Sequence, residues 1–200
     1  MADIAAAMGV AKGTLYAYVE SKEALFDLVA RCADREDWRT APPEFPVATP
    51  EPKATLRYVR AQLAQNNSIP SLADAITRKR FRNVSAELSG IVAALYDLLA
   101  RNRCGITLID SSSRDYPELA TLWLEARSGL LALLETYLRT RIASGHLRPV
   151  PEVKSAARLI LETVTFWAVH RHRDLRPEAV PDSIAKDTVV QFIVRALATG

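Results

Sequence analysis

Six residues near the start of the chain carry groups suited to one chemistry: Lys12, Gly13, Thr14, Tyr16, Tyr18 and Lys22. Lysine ammonium groups and tyrosine hydroxyls both reach phosphate oxygens. Thr14 offers a methyl and a hydroxyl to a base edge, and Gly13 beside it admits close approach. Lys12 and Gly13 fall at a predicted helix start, where free backbone N–H groups favour an anion. Lys22 falls at the start of the next predicted helix and adds charge to an already positive helix end. Nothing comparable supports catalysis, because no Ser/His/Asp or paired-carboxylate arrangement can be argued from spacing. Cys32 and Cys104 are far apart and no Cys/His cluster has zinc spacing, so no metal and no cofactor is expected. His170 and His172 straddle Arg171, but their rings diverge on a helix and read as cations near a helix end.

The elements that must hold these six residues follow from the neighbouring sequence. Met1 to about Met8 reads as a short helix with Ile4, Ala5 and Met8 on one face. Small Ala5 lets a second helix approach, and Gly9 permits a turn with positive φ. The second helix spans about Lys12–Val19, with Val10 and Leu15 plugging the angle between the two. Ser21 is a good N-cap for a third helix, predicted to run to about Asp37 with a stripe of Leu25, Leu28, Val29 and Cys32. This is a helix-turn-helix arrangement, in which the second helix presents its N-terminal end to the major groove.

The segment DIAAAMGVAKGTLYAYVESKEALF resembles the DNA-binding signature of the TetR family of transcription regulators. The resemblance covers about 25 residues and is specific as a set. Weaker resemblance extends over GITLIDSSSRDYPELATLWLEAR and GHLRPVPEVKSAARLILETVTFWAVHRH, which look like the ligand-binding portion of the same family. It implies that Lys12, Gly13, Thr14, Tyr16, Tyr18 and Lys22 occupy DNA-contacting positions. Ala11 stands where the family has Ser, which weakens the cap of the recognition helix. Val19 replaces the usual Phe and leaves a smaller core contact, and Ala17 offers DNA only a methyl. The family also places a helix before this motif, so the resemblance implies a DNA-binding domain that lacks its first helix.

Composition permits this reading without establishing it. The chain has 200 residues, a net charge of +3, 49% apolar and 24% charged residues, and two cysteines. That suits a reduced cytoplasmic protein rather than a disulfide framework. No stretch is long and apolar enough to span a membrane, so no membrane partner is expected. The fold class expected is all-α: a helix-turn-helix domain over 1–39, a Pro-rich connection over 40–52, and a larger helical bundle over 53–200. In the bundle, helices are predicted at about Lys53–Gln65, Leu72–Arg80, Asn83–Asn102, Pro117–Ser144, Glu152–His172 and Asp182–Thr199. Gly105–Asp110 and the serines after it read as a loop with a short extended piece.

Tyr96, Trp123, Arg127 and Trp167, with Phe81, suggest a mostly apolar pocket with few polar anchors, suited to a small apolar or aromatic effector. Arg127 lies one turn from Trp123, so both can face one cavity. The sequence from Ala156 to Val169 is apolar almost all round, and the last helix carries a stripe of Val189, Val190, Ile193, Ala196 and Leu197 with Phe192 and Ile184 beside it. A surface helix of a monomer should keep a polar face. The expected assembly is a homodimer through 152–172 and 182–199, paired as a four-helix bundle. Together these features describe a ligand-responsive repressor that binds double-stranded operator DNA. The alternatives are a small-molecule-binding protein of the same fold that has lost DNA binding, and, with less support, a helical enzyme.

Overall fold

Capping chemistry sets where several of the helices begin. The computed structural model describes every residue except Asp34, residues 36–41, Asn67, Lys79, Glu178, Gly200 and the side chain of Asn66. Two units form, Met1–Leu63 and Ala64–Gly200. Among the described residues the regular structure is helical, with two isolated bridges, Val19 with Val47 and Leu147 with Ala198.

The first unit opens with α1 (Ala2–Ala7), α2 (Lys12–Tyr16) and α3 (Lys22–Cys32). Gly9 turns the chain between α1 and α2 with φ +66, a conformation that side chains with a Cβ resist. Ser21 caps α3 as expected: its hydroxyl accepts from the Ala24 N–H at 3.0 Å. The predicted end of this helix at Asp37 and the boundary at 39–40 lie outside the described residues. Its buried face is not the predicted stripe. Ala24 and Asp27 are buried, whereas Val29 is exposed. Asp27 is a polar residue placed inward because its carboxylate has partners. It accepts from Arg31 Nε at 2.7 Å and from the Thr55 hydroxyl of α4 (Ala54–Asn66) at 2.7 Å. Arg31 in turn lies over the Tyr58 ring, 4.6 Å from its centroid.

The second unit contains α5 (Pro70–Thr77), α6 (Val84–Arg101), α7 (Arg103–Ser112), α8 (Pro117–Ala143), α9 (Val153–Ala168) and α10 (Asp182–Leu197). Pro70 and Pro117 open their helices in the first turn, where a missing N–H costs nothing. Asn83 and Glu152 cap α6 and α9 through side-chain oxygens. Gly145, at φ +74, turns the chain after α8. The predicted loop at 105–110 is instead the body of α7. Ile106 and Ile109 are buried one turn apart, so packing overrides the strand preference of Ile-Thr-Leu-Ile. The predicted helix over 152–172 ends at Ala168 and gives way to a 3₁₀ turn over His170–Arg173.

The core of this unit is built on α6, whose Leu88, Ile91, Val92, Leu95 and Leu99 are buried. Leu134, Tyr137 and Leu138 of α8, Ile160, Leu161 and Val164 of α9, and Ala185, Val189 and Ile193 of α10 join the same cluster. No helix among the described residues is long and apolar enough to cross a membrane.

Candidate nucleic-acid interface

Four small or branched apolar side chains form the inner side of the helix-turn-helix. Ala5, Leu15, Val19 and Ala24 are buried at 3%, 6%, 1% and 0% exposure, so one residue from each helix and one from the turn form the seam of the helix-turn-helix. Val19 is buried despite being smaller than the Phe that the resemblance leads one to expect. Val10, expected to share the plug with Leu15, is exposed instead. Around this seam Lys12, Gly13, Thr14, Tyr16, Tyr18 and Lys22 all face solvent. Tyr16 and Tyr18 are 44% and 52% exposed, so neither ring turns inward.

The backbone completes the surface. Ala11 has no side chain able to cap α2, and the Thr14 N–H donates to the Ala11 carbonyl at 2.9 Å. A Cβ built on Gly13 meets nothing within 4 Å, so the outer side of this residue is open space. Lys22 is the first residue of α3, immediately after the Ser21 cap. The arrangement offers two ammonium groups and two phenols, with Thr14 between them. That pattern matches phosphate contacts flanking a base-reading position.

The Pro-rich segment is more than a spacer. The Val47 N–H donates to the Tyr18 carbonyl at 2.8 Å, and the Glu20 N–H donates to the Val47 carbonyl at 3.0 Å. The Thr49 N–H donates to the Glu20 carboxylate at 2.8 Å, and the Thr49 hydroxyl donates to Ser21 Oγ at 2.8 Å. Phe45 meets the Tyr18 ring edge-on, with centroids 5.4 Å apart. Sequence reasoning missed this docking because the segment has no periodicity to reveal it.

In the second unit the four residues named as pocket candidates stand in different surroundings. Tyr96 is 1% exposed. Its hydroxyl lies within hydrogen-bonding distance of the Trp167 carbonyl at 3.2 Å and of Asp182 at 3.3 Å. Burial, and then the charge of Asp182, raise the Tyr96 pKa, so it stays protonated as a donor. Trp123 and Trp167 are partly buried against the core, and Trp167 meets Phe166 edge-on. Arg127 pairs with Glu162 of α9. Asp110 of α7 sits close enough to feel Arg127 and His170. Burial raises its pKa against the pull of His170, Arg127 and Arg173.

A charge cluster missed by sequence reasoning joins the ends of three helices. Asp182, first residue of α10, pairs with Arg103 at 2.8 Å, with Arg171, and with His172 Nε2 at 3.3 Å. Arg103 and Arg171 also donate to the Ala168 and Trp167 carbonyls at the end of α9, at 2.6 and 2.7 Å. Both arginines thus close off a helix C-terminus, where cations are favoured. His172, expected as a cation near a helix end, lies in this cluster beside Asp182. Burial, then the charges of Arg103 and Arg171, lower its pKa. Among the described residues no group of three or more His, Cys, Asp or Glu is placed to hold a metal ion.

Comparison with known proteins follows the same division. Residues 1–29 match the family described as bacterial regulatory proteins, tetR family. No curated protein matches the chain. Two solved structures share its fold. A bacterial regulatory protein in the tetR family from Rhodococcus RHA1 superposes with a TM-score of 0.52 at 15% identity, covering 99% of this chain and 85% of that one. The ketosteroid transcriptional regulator KstR2 of Mycobacterium tuberculosis gives a TM-score of 0.54 at 16% identity, covering 100% of this chain and 84% of that one. Residues 1–29 thus carry the signature of the tetR family of bacterial regulatory proteins, and the chain as a whole shares the all-helical fold of these two solved structures.

Proposed function

We propose that this protein is a cytoplasmic, ligand-responsive repressor that binds operator DNA as a homodimer and is released by a small apolar or aromatic effector. The observation that carries the reading is the solvent-facing set Lys12, Thr14, Tyr16, Tyr18 and Lys22 around open Gly13, mounted on the buried seam of Ala5, Leu15, Val19 and Ala24. Lys12, Lys22, Tyr16 and Tyr18 contact phosphates and fix register. Gly13 and Thr14 face base edges.

Release follows from linkage. An effector that binds the conformation with weak DNA affinity more tightly must lower operator affinity by the same factor. The second unit carries the effector, between the helices that bear Tyr96, Trp123 and Trp167, with Arg127 as the polar anchor. Arg127 must then exchange Glu162 for the ligand, which favours an effector with an acceptor at one end. The dimer forms through α9 and α10. Support comes from Leu159, Phe166, Ile184 and Phe192, large apolar residues left exposed on these two helices. An open depression of about 650 Å³ along α10, lined by Ile184, Phe192 and Ala196 with Asp187, Thr188, Gln191 and Arg195 among them, gives a facing helix room to seat.

The test is a mobility-shift assay on the promoter beside the protein's own gene, repeated with apolar and aromatic compounds added. Retardation at low salt, weakened by Lys22→Ala and reversed by a compound, is the result expected. Absence of any shift at low salt overturns the DNA-binding reading. A shift that no compound reverses overturns the ligand response.

A further inference from the structure

We propose that residues 44–49 form a strap belonging to the DNA-reading surface, with Phe45 as a positioning residue that holds Tyr18 for phosphate contact. The inference rests on the DNA-binding reading above and deepens it. Tyr18 lies beyond the C-cap of α2, at Ala17, so helical backbone no longer constrains it. Its ring is half exposed, and an exposed tyrosine samples several rotamers at a cost that binding must later meet.

Four hydrogen bonds fix the backbone around Tyr18, and one ring contact restrains its side chain. Backbone hydrogen bonds on both sides of Val19 lock the strand-like stretch Tyr18–Glu20 to Val47, at 2.8 and 3.0 Å. Thr49 then ties the strap to Glu20 and to Ser21, whose hydroxyl also caps α3 beside Lys22. The same clamp therefore reaches both Tyr18 and the helix start that carries Lys22. On this frame Phe45 stands edge-on to Tyr18 at an interplanar angle of 83°, the favourable geometry for two aromatic quadrupoles. Pro46 within the strap, and Pro43 and Pro50 on either side of it, fix φ and lower the entropy lost in docking it. Phe45 has no hydrogen-bonding group, so its effect on a phosphate contact must pass through the Tyr18 hydroxyl.

The experiment is a double-mutant cycle on short duplexes selected from a random pool by the unaltered protein. Phe45→Ala should weaken binding about three- to tenfold, the range expected for losing one edge-on aromatic contact. It should cost nothing further in a Tyr18→Phe background, where the phosphate hydroxyl is already gone. Phe45→Tyr should restore the affinity, since it keeps the ring. The slope of affinity against salt should not change in any of these variants, because no charge is altered. Equal losses from Phe45→Ala in both backgrounds, or no loss in the first, overturn the strap's role while leaving DNA binding intact. Enrichment of no duplex at all overturns the DNA-binding reading, and the strap's role with it.

Discussion

Arg141 donates from Nε to the Glu87 carboxylate at 2.8 Å, and no part of the arginine side chain reaches solvent. Nη2 donates to the Ala75 carbonyl at 2.6 Å, and the guanidinium lies over the rings of Phe81 and Tyr137, 3.9 and 4.9 Å from their centroids. One side chain thus joins α5, α6 and α8. Burial, and then the charge of Glu87, push the Tyr137 hydroxyl above its usual range, so it stays protonated in this cluster. Arg141→Ala opens a void and leaves the largely buried Glu87 with Arg78, at 3.5 Å, as its remaining cation. The expected loss is about 3–5 kcal/mol, the scale for removing one partner of a buried pair. Arg141→Met with Glu87→Leu should lose far less, because neither charge is then stranded. Urea denaturation measures both. An unchanged midpoint for Arg141→Ala would show that the pair contributes nothing.

A second prediction concerns acid. Burial alone would raise the pKa of Asp182, but hydrogen bonds from Arg103 and Arg171, followed by their charges, outweigh it and hold the group at about 2 against an ordinary 3.8. A depressed folded value means that the unfolded chain takes up the proton first. The stabilisation is complete above about pH 4 and drains away as pH falls from about 4 to about 2. His172 acts in the same direction at higher pH. Its lowered folded pKa makes protonation destabilising as pH falls below its ordinary 6.5. Thermal melts from pH 7 to pH 2 should fall in two stages. Asp182→Asn should flatten the lower one, and His172→Gln the upper.

DNA affinity separates positioning residues from reading residues. Lys22→Ala should reduce the slope of log affinity against log salt by about one unit and weaken all duplexes alike. Tyr16→Phe should weaken them alike with the slope unchanged, since the phenol is neutral. Thr14→Ala should change which duplexes are preferred, by about 1–3 kcal/mol at the affected base pair. Gly13→Ala also belongs to this class. Its Cβ has room in the protein, so any loss it causes arises against DNA. Competitive binding across a duplex library distinguishes the classes. A uniform loss from Thr14→Ala would remove it from base reading.

What was legible in the sequence was what local chemistry alone decides. Ser21, Pro117 and Gly145 mark helix ends through hydrogen bonding, a fixed φ and a positive φ, and each acts within a few residues. The exposed ring of α2 was legible because the turn motif fixes which side faces out. What was hidden depends on distant partners. Asp27 points inward only because Thr55 and Arg31 meet it. Arg141 continues the stripe of Leu134, Tyr137 and Leu138, but nothing local announces that Glu87 awaits it. α7 was misread because Gly105 followed by Ile-Thr-Leu-Ile carries strand propensity, and only burial of Ile106 and Ile109 reverses it. Phe45 and Tyr18 meet through a segment whose prolines read simply as a linker.

The last prediction follows from which apolar residues the protomer already uses. Leu161, Val164 and Val189 are buried within one chain at 3%, 0% and 3% exposure, and Val190 packs against the same core. Charging them should unfold the protomer, so such variants say nothing about assembly. Leu159 and Phe166, two turns apart on α9, are 68% and 46% exposed, and Ile184 and Phe192, about two turns apart on α10, are 55% and 73% exposed. These side chains gain most from a second copy. A two-fold arrangement pairs each surface with itself, so the apolar side chains of one copy can meet those of the other, and Asp187 and Arg195 supply opposite charges beside them. Such a dimer also carries two recognition helices, which must be spaced about one duplex turn, roughly 34–36 Å, to read both half-sites. Leu159→Glu with Phe192→Glu should therefore give a helical, folded monomer, with dimer affinity reduced by about a hundredfold or more, the scale of a lost hot spot. Its DNA binding should fall with it, because one half-site alone retains little affinity. Sedimentation equilibrium reads the first effect and circular dichroism checks the fold. A double variant that sediments as an unaltered dimer would falsify the assignment of this face.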